Sequence, residues 1–185
     1  MNMNLETIIF NDIKGVINSW DSDTTSEIYA ISFFIYNNED DPRKPTLTLG
    51  YNTETCYSDS IDGASDKEEA RWNYAFWMQN QELLFGEDEV TSELVKQWIE
   101  EGFDSDNNDT FFQFGEEITE KFVSICIAVS RKLHTEDVIK NKFGKDIPII
   151  IHELEYYYVI AKQTVEANPP HISDEFAEWI YSMYK

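Results

Sequence analysis

The side chains in this sequence that can act as nucleophile, base or metal ligand are few in kind and scattered in position. Its three histidines, His134, His152 and His171, lie far apart, and His152-Glu153-Leu154-Glu155-Tyr156 lacks the second histidine of a zinc-protease helix. His152 nonetheless ends an apolar run with Glu153 and Glu155 close behind it. An imidazole there can exchange a proton near neutrality, and strand ends in α/β folds often meet ligands. A hydrogen-bonded structural histidine is the competing reading of the same residues. Cys56 and Cys126 share no metal or redox spacing, and Cys126, inside Phe122-Val123-Ser124-Ile125-Cys126-Ile127, reads as a buried, reduced thiol. Asp104-Ser105-Asp106-Asn107-Asn108 opens like a calcium loop, with side-chain oxygens at alternate positions. The match then breaks: Asp109 stands where the loop needs glycine, and Gly115 where it needs a bidentate glutamate. Neither a metal nor a cofactor is expected, and no nucleophile elbow, phosphate-binding loop or dinucleotide fingerprint occurs.

The remaining chemical resource is carboxylate. The 185 residues hold 36 Asp and Glu against 14 Lys and Arg, a net charge of −22. With so many acids, spacing alone singles out no catalytic pair. Their field repels polyanions, so nucleic acid and anionic lipid are disfavoured as partners and a basic protein is favoured. The excess is concentrated: residues 82–120 hold 13 acids and one base, Lys96, whereas residues 121–185 hold nine acids and eight bases. Such a run is ordinarily a solvated, solubilising surface. Read functionally, it is a docking surface for a cationic partner, with Glu93, Glu100, Glu101, Asp104 and Asp106 as the candidate partner-binding residues.

The hydrophobic pattern locates the elements that must position these groups. Leu5, Ile8, Ile9, Ile13, Val16 and Ile17 recur at helical spacing over residues 4–19, and the polar run 21–26 ends that helix. Residues 28–36 are apolar at both parities, with Tyr29, Ile31, Phe33 and Ile35 on one face and Ile28, Ala30, Phe34 and Tyr36 on the other. That pattern predicts a central strand covered on both sides. The alternation over 46–51 predicts its antiparallel hairpin partner, with one wetter face. A capping box of Ser65 and Glu68 opens a helix expected to run through Arg71, Trp72, Tyr74 and Trp77. Further helices are expected over about 88–101, stopped by Gly102, and over about 116–133, where Ile118, Phe122, Ile125, Val129 and Leu133 share a face. Residues 145–152 read as a strand entered through Pro148, followed by a helix over 156–167 that halts at Asn168-Pro169-Pro170 and a last helix capped by Ser173.

These elements make an α/β or α+β fold, one domain over residues 1–185, in which a small mixed sheet carries helices packed against it. Phe33, Ile35, Leu49, Phe122, Ile125, Val129 and Ile150 are its expected core. The length suffices for a core without disulfides or metal. No stretch approaches a membrane span and Met1 to Glu6 does not look like a secretion signal, so a soluble, cytoplasmic protein is expected. Two aromatic groups, Trp72-Tyr74-Phe76-Trp77 and Tyr156-Tyr157-Tyr158, read first as core and alternatively as interface anchors.

Five segments taken together carry a resemblance: residues 28–36, Leu49-Gly50-Tyr51-Asn52-Thr53-Glu54, Arg71-Trp72-Asn73-Tyr74, Ile149-Ile150-Ile151-His152-Glu153 and Ala167-Asn168-Pro169-Pro170. In that order they resemble the bacterial domain-of-unknown-function 4303 family over nearly the whole chain. The resemblance implies no catalytic residues. By analogy, small acidic bacterial proteins of this kind are similar to immunity proteins encoded beside secreted toxins, including those of contact-dependent inhibition. The leading expectation is therefore a non-enzymatic immunity protein that occludes the active site of a cognate toxin with a basic surface, such as a nuclease. A small hydrolase built on a carboxylate and His152, and a housekeeping interaction module, are the alternatives. A polar pocket around His152 would favour the hydrolase.

Overall fold

The computed structural model describes residues 4–103 and 110–184. It is an α+β fold in which helices pack on both faces of one four-stranded mixed sheet. Asn4 accepts the Glu6 amide and starts helix α1 (Leu5–Ser19), which buries Leu5, Ile9, Phe10, Ile13 and Ile17. The polar run expected to be a mere break instead forms a short helix, α2 (Ser22–Glu27). Asp21 caps it by accepting the Thr24 amide at 2.8 Å, a local hydrogen bond that makes helix of a segment with no apolar face.

Strand β1 (Ile28–Asn37) pairs antiparallel with β2 (Pro45–Thr53), placing Phe33 opposite Leu49. A register irregularity between Ile28 and Ala30 changes the expected faces. One displaced residue sends neighbouring side chains to opposite sides of a sheet. Ile28 thus joins Ile31, Phe33 and Ile35, while Tyr29 joins Ala30 in the other layer. The face of β2 expected to be wetter is covered by the segment after Trp77. Asn80 accepts the Tyr51 amide through its side chain, and its backbone oxygen lies only 2.6 Å from where a Cβ on Gly50 would stand, so no larger residue fits there.

Between these strands and the next come α3 (Glu54–Ser60) and α4 (Lys67–Trp72). The cap of α4 is Asp66 rather than Ser65: Asp66 accepts the Glu69 amide, and the Glu69 carboxylate accepts the Ser65 amide. The helix also stops before Trp77, because Asn73 accepts the Ala75 amide and starts a separate turn over Tyr74–Phe76. Strand β3 (Leu83–Phe85), which its brevity hid from pattern reading, pairs antiparallel with β2. Helix α5 (Glu89–Gly102) is capped by Asp88 and ends at the expected glycine.

Helix α6 (Thr110–Thr135) buries Ile118, Phe122, Cys126, Val129 and Leu133 against the sheet face that also receives α1. Ile125, an expected core residue, stands at the rim of this stripe and is half-buried, whereas Phe33, Ile35, Leu49, Phe122, Val129 and Ile150 are buried as expected. Helix α7 (Val138–Phe143) follows, and Lys142 donates to the carbonyls of Asn18 and Trp20 at the end of α1.

Strand β4 (Ile149–His152) is shorter than expected and lies parallel to β1, giving the strand order β3-β2-β1-β4. Helices α8 (Tyr158–Ala167) and α9 (Asp174–Ser182) then cover the second sheet face, where Tyr29, Ile150, Trp72, Phe176 and Trp179 make a largely aromatic layer.

The free side of β4 is closed by α8. Asn168 accepts the Ile149 amide and donates to the Ile149 carbonyl, both at 2.8 Å. Thr164 accepts the Ile151 amide, and Gln163 donates to the Ile151 carbonyl.

Removing the Asn168 amide orphans both Ile149 groups, so Asn168→Ala is expected to cost about 2–4 kcal/mol in urea unfolding and to speed exchange of the Ile149 amide. Phe122→Ala is expected to cost about 3–5 kcal/mol and Ile125→Ala distinctly less. Equal losses at 122 and 125 would contradict the placement of α6.

Candidate functional site

His152 lies fully buried among rings, not in a polar pocket. Its neighbours include Phe34, Tyr74, Trp77 and Tyr156, with the Tyr156 ring stacked at 5.8 Å. Its Nδ1 faces the Glu153 carbonyl at 3.1 Å, and Nε2 faces the buried Ser32 hydroxyl at 2.8 Å. A carbonyl only accepts, so the proton sits on Nδ1 and Ser32 donates to Nε2. Burial pushes the imidazole pKa down to about 4, which keeps it neutral. A serine and histidine thus meet as in a hydrolase, but neither is accessible; the pair ties β1 to β4 across the sheet.

The open site lies where these strands end. Because β1 and β4 are parallel, Asn37 and the residues after His152 emerge at the same end of the sheet. Two adjoining hollows, about 1090 and 350 Å³, lie there and share Asn37, Thr119, Glu153 and Tyr157 as lining. The larger runs between α6 and α8, with Glu116 and Glu120 from one and Glu166 from the other. Asp40 and Glu155 border the smaller. Lys162 is the single basic residue among the described lining residues of the two hollows. Tyr157 Oη donates to the Glu153 carboxylate at 3.4 Å, and partial burial raises the pKa of that carboxyl above its ordinary value. Asn37 reaches Thr119 at 3.4 Å through Nδ2, while its buried Oδ1 has no donor among the described residues.

Leu154 and Val159, which line the hollows, are apolar and exposed. Among the described residues, most of the exposed large hydrophobic side chains fall within 154–184, with Leu154 69%, Val159 57% and Tyr158 55% exposed. The tyrosine run is therefore divided: Tyr156 packs inward against Phe176 and Trp179, while Tyr157 and Tyr158 face solvent. Tyr158 lies against Tyr184 and Tyr181 at 4.9 and 5.4 Å. Free surfaces of stacked tyrosine are costly to leave in water and characteristic of contact sites.

The sequence-predicted site residues do not converge on this groove. Glu93 and Glu100 are exposed on α5 and flank Lys96 at 3.6 and 4.0 Å, and Glu101 is exposed beside them. Asp104 and Asp106, with the calcium-like segment, lie outside the described residues. Glu116 and Glu120 belong to the same acidic stretch but line the groove, so its charge is divided between two places on the surface. Among the described residues no three His, Cys, Asp or Glu side chains are grouped as metal ligands, and no helix is long and apolar enough to cross a membrane. Compared with family models, with curated proteins and with solved structures, the chain matches none.

The grouping of Asn37, Thr119, Glu153 and Tyr157 escaped sequence reading because it requires β1 and β4 to be parallel neighbours. The available signal was Glu153 directly after a strand, where parallel sheets place ligand crevices.

His152 supplies a pH test. Between its ordinary pKa of roughly 6.5 and the folded value of about 4, the unfolded chain binds a proton that the folded chain refuses, so this group's stabilisation is full above the first and lost towards the second. Relative to His152→Gln, the native protein is expected to lose about 3 kcal/mol as pH falls from 7 to 4. Urea midpoints measured across that range check it, and a difference independent of pH would remove His152 as the titrating group.

Proposed function

We propose that this protein is a binding protein that captures a basic protein partner, acting as an immunity protein that neutralises a cognate toxin in the cytoplasm. The observation that carries the reading is the exposed tyrosine and aliphatic surface beside a carboxylate-lined groove, on a chain of net charge −22. Tyrosine gives large contact area at small entropic cost, and the surrounding negative field selects a cationic partner and speeds its approach. A basic nuclease fits, since the field it uses to attract nucleic acid also attracts this surface. The resemblance to the bacterial domain-of-unknown-function 4303 family stands with this reading as part of the proposal. The aromatic enclosure of His152 weighs against a hydrolase built on that residue.

Co-expression with the toxin encoded beside this gene is expected to restore growth, and failure to protect or bind would reject that partner. Replacing Glu93, Glu100, Glu101, Asp104 and Asp106 with Lys is expected to slow association by about tenfold or more at low salt and to flatten its salt dependence. Stopped-flow rates at two salt concentrations measure this. Unchanged rates would leave the α5 carboxylates with a solubilising role only.

A further inference from the structure

We infer that the groove between α6 and α8 receives an arginine side chain of the basic partner, its guanidinium lying on the Tyr157 ring and its N–H groups donating to Glu153. This inference rests on the proposed capture of a basic protein and assigns the place and the residue type. Tyr157 and Glu153 stand side by side at 3.4 Å, so one planar cation can touch a π face and a carboxylate together. Lysine offers a point charge and cannot form the planar fork. Glu116 and Glu120 supply further negative charge along the α6 wall. Burial disfavours the charged form of Glu153, a cost that an entering cation offsets.

The chain builds the same arrangement for one of its own residues. The Arg71 guanidinium lies 4.0 Å from the Tyr29 ring centre and 5.0 Å from that of Tyr57, while the Glu54 carboxylate takes both terminal nitrogens at 3.1 Å. In the groove, tyrosine and carboxylate are paired with no arginine of this chain among the lining residues. A second copy is disfavoured as the occupant, because it would bring another −22 charge against the carboxylates. The exposed Val159 and Leu154 of the lining extend the contact for residues flanking the arginine.

The test uses hexa-arginine and hexalysine peptides against the full chain, with calorimetric affinities and amide chemical shifts. Hexa-arginine is expected to bind at least about fivefold more tightly than hexalysine, with shifts centred on Thr119, Glu153 and Tyr157. Tyr157→Ala should abolish the preference and Tyr157→Phe retain it. Glu153→Gln should weaken hexa-arginine about tenfold at an unchanged melting temperature, while the double variant Asp62→Asn, Glu68→Gln, at exposed acids away from the groove, stays within about twofold. Equal affinity for both peptides, or shifts centred on α5, would overturn the groove assignment and leave capture of a basic protein standing. Absence of binding by either peptide would also overturn it, and the growth-protection assay judges the function separately. A concentration-dependent dimer that blocks the peptide would give this face to a second copy and overturn the inference.

Discussion

Ile149 and Ile151 turn their backbone N–H and C=O groups away from β1, towards a side of the sheet where the described residues supply no further strand. Buried peptide groups must be paired, and Gln163, Thr164 and Asn168 of the α8 segment do the pairing. Thr164 serves Ile151 in both directions, as acceptor of its amide and donor to its carbonyl. The helix is thereby fixed in register against the strand as another strand would be. Its far end is held from α6, where Ser130 donates to the Ala167 carbonyl and Arg131 to that of Glu166. His134 of α6 turns one ring nitrogen to Asn168 and the other to Asp146. Because α8 is held along its length, its first turn has one place to go, and that place puts Tyr157 over Glu153.

The same constraint sorts the molecule chemically. One sheet face carries a mainly aliphatic core under α1 and α6; the other carries a layer rich in rings, in which polar atoms are placed singly and satisfied. Tyr29 donates to the Arg71 carbonyl and accepts from Asn52, and Trp77 donates to the same carbonyl. Rings with polar edges suit this layer because their faces pack against α8 and α9 while their edges reach the Arg71 carbonyl at the end of α4. Little room remains there for ionisation, which is why burial holds His152 neutral and raises the phenol pKa values of Tyr29 and Tyr156 well above the ordinary value. The charged groups are left to the outer surface, where repulsion among them opposes folding and the two covered sheet faces must outweigh it.

The elements most legible in the sequence were those whose burial follows one period. The α1 stripe, the β1–β2 hairpin and the long α6 helix follow directly from Ile, Phe and Leu spacing. Less legible were features decided by single hydrogen bonds: the Asp21 and Asp66 caps, and the irregularity that exchanges Ile28 and Tyr29 between layers. The groove was legible only in part. Glu153 and Tyr157 drew attention for their neighbours in sequence, but Asn37 joins them through pairing of strands more than a hundred residues apart and Thr119 through the packing of α6 on the sheet. Charge density pointed to α5, because composition registers how many acids a segment holds and not which way its helix turns them.

On the proposed reading, that distinction separates two roles for acidic residues. The α5 carboxylates are exposed and share Lys96, so in salt each contributes little to a bound state. Their reach is through the summed field, which acts before contact. Among the groove carboxylates Glu153 is half-buried beside Tyr157, where screening is weaker and geometry decides what fits, while Glu116, Glu120 and Glu166 are exposed. On the proposed reading, an approaching basic protein meets first a field without detailed shape and then a shape with a few well-placed charges. The first can favour any cationic surface, and discrimination must come from the second. If the proposed capture of a basic protein holds, residues around Glu153 and Tyr157 are where differences between proteins of this architecture would change the partner, while differences on α5 would change chiefly how fast the partner arrives.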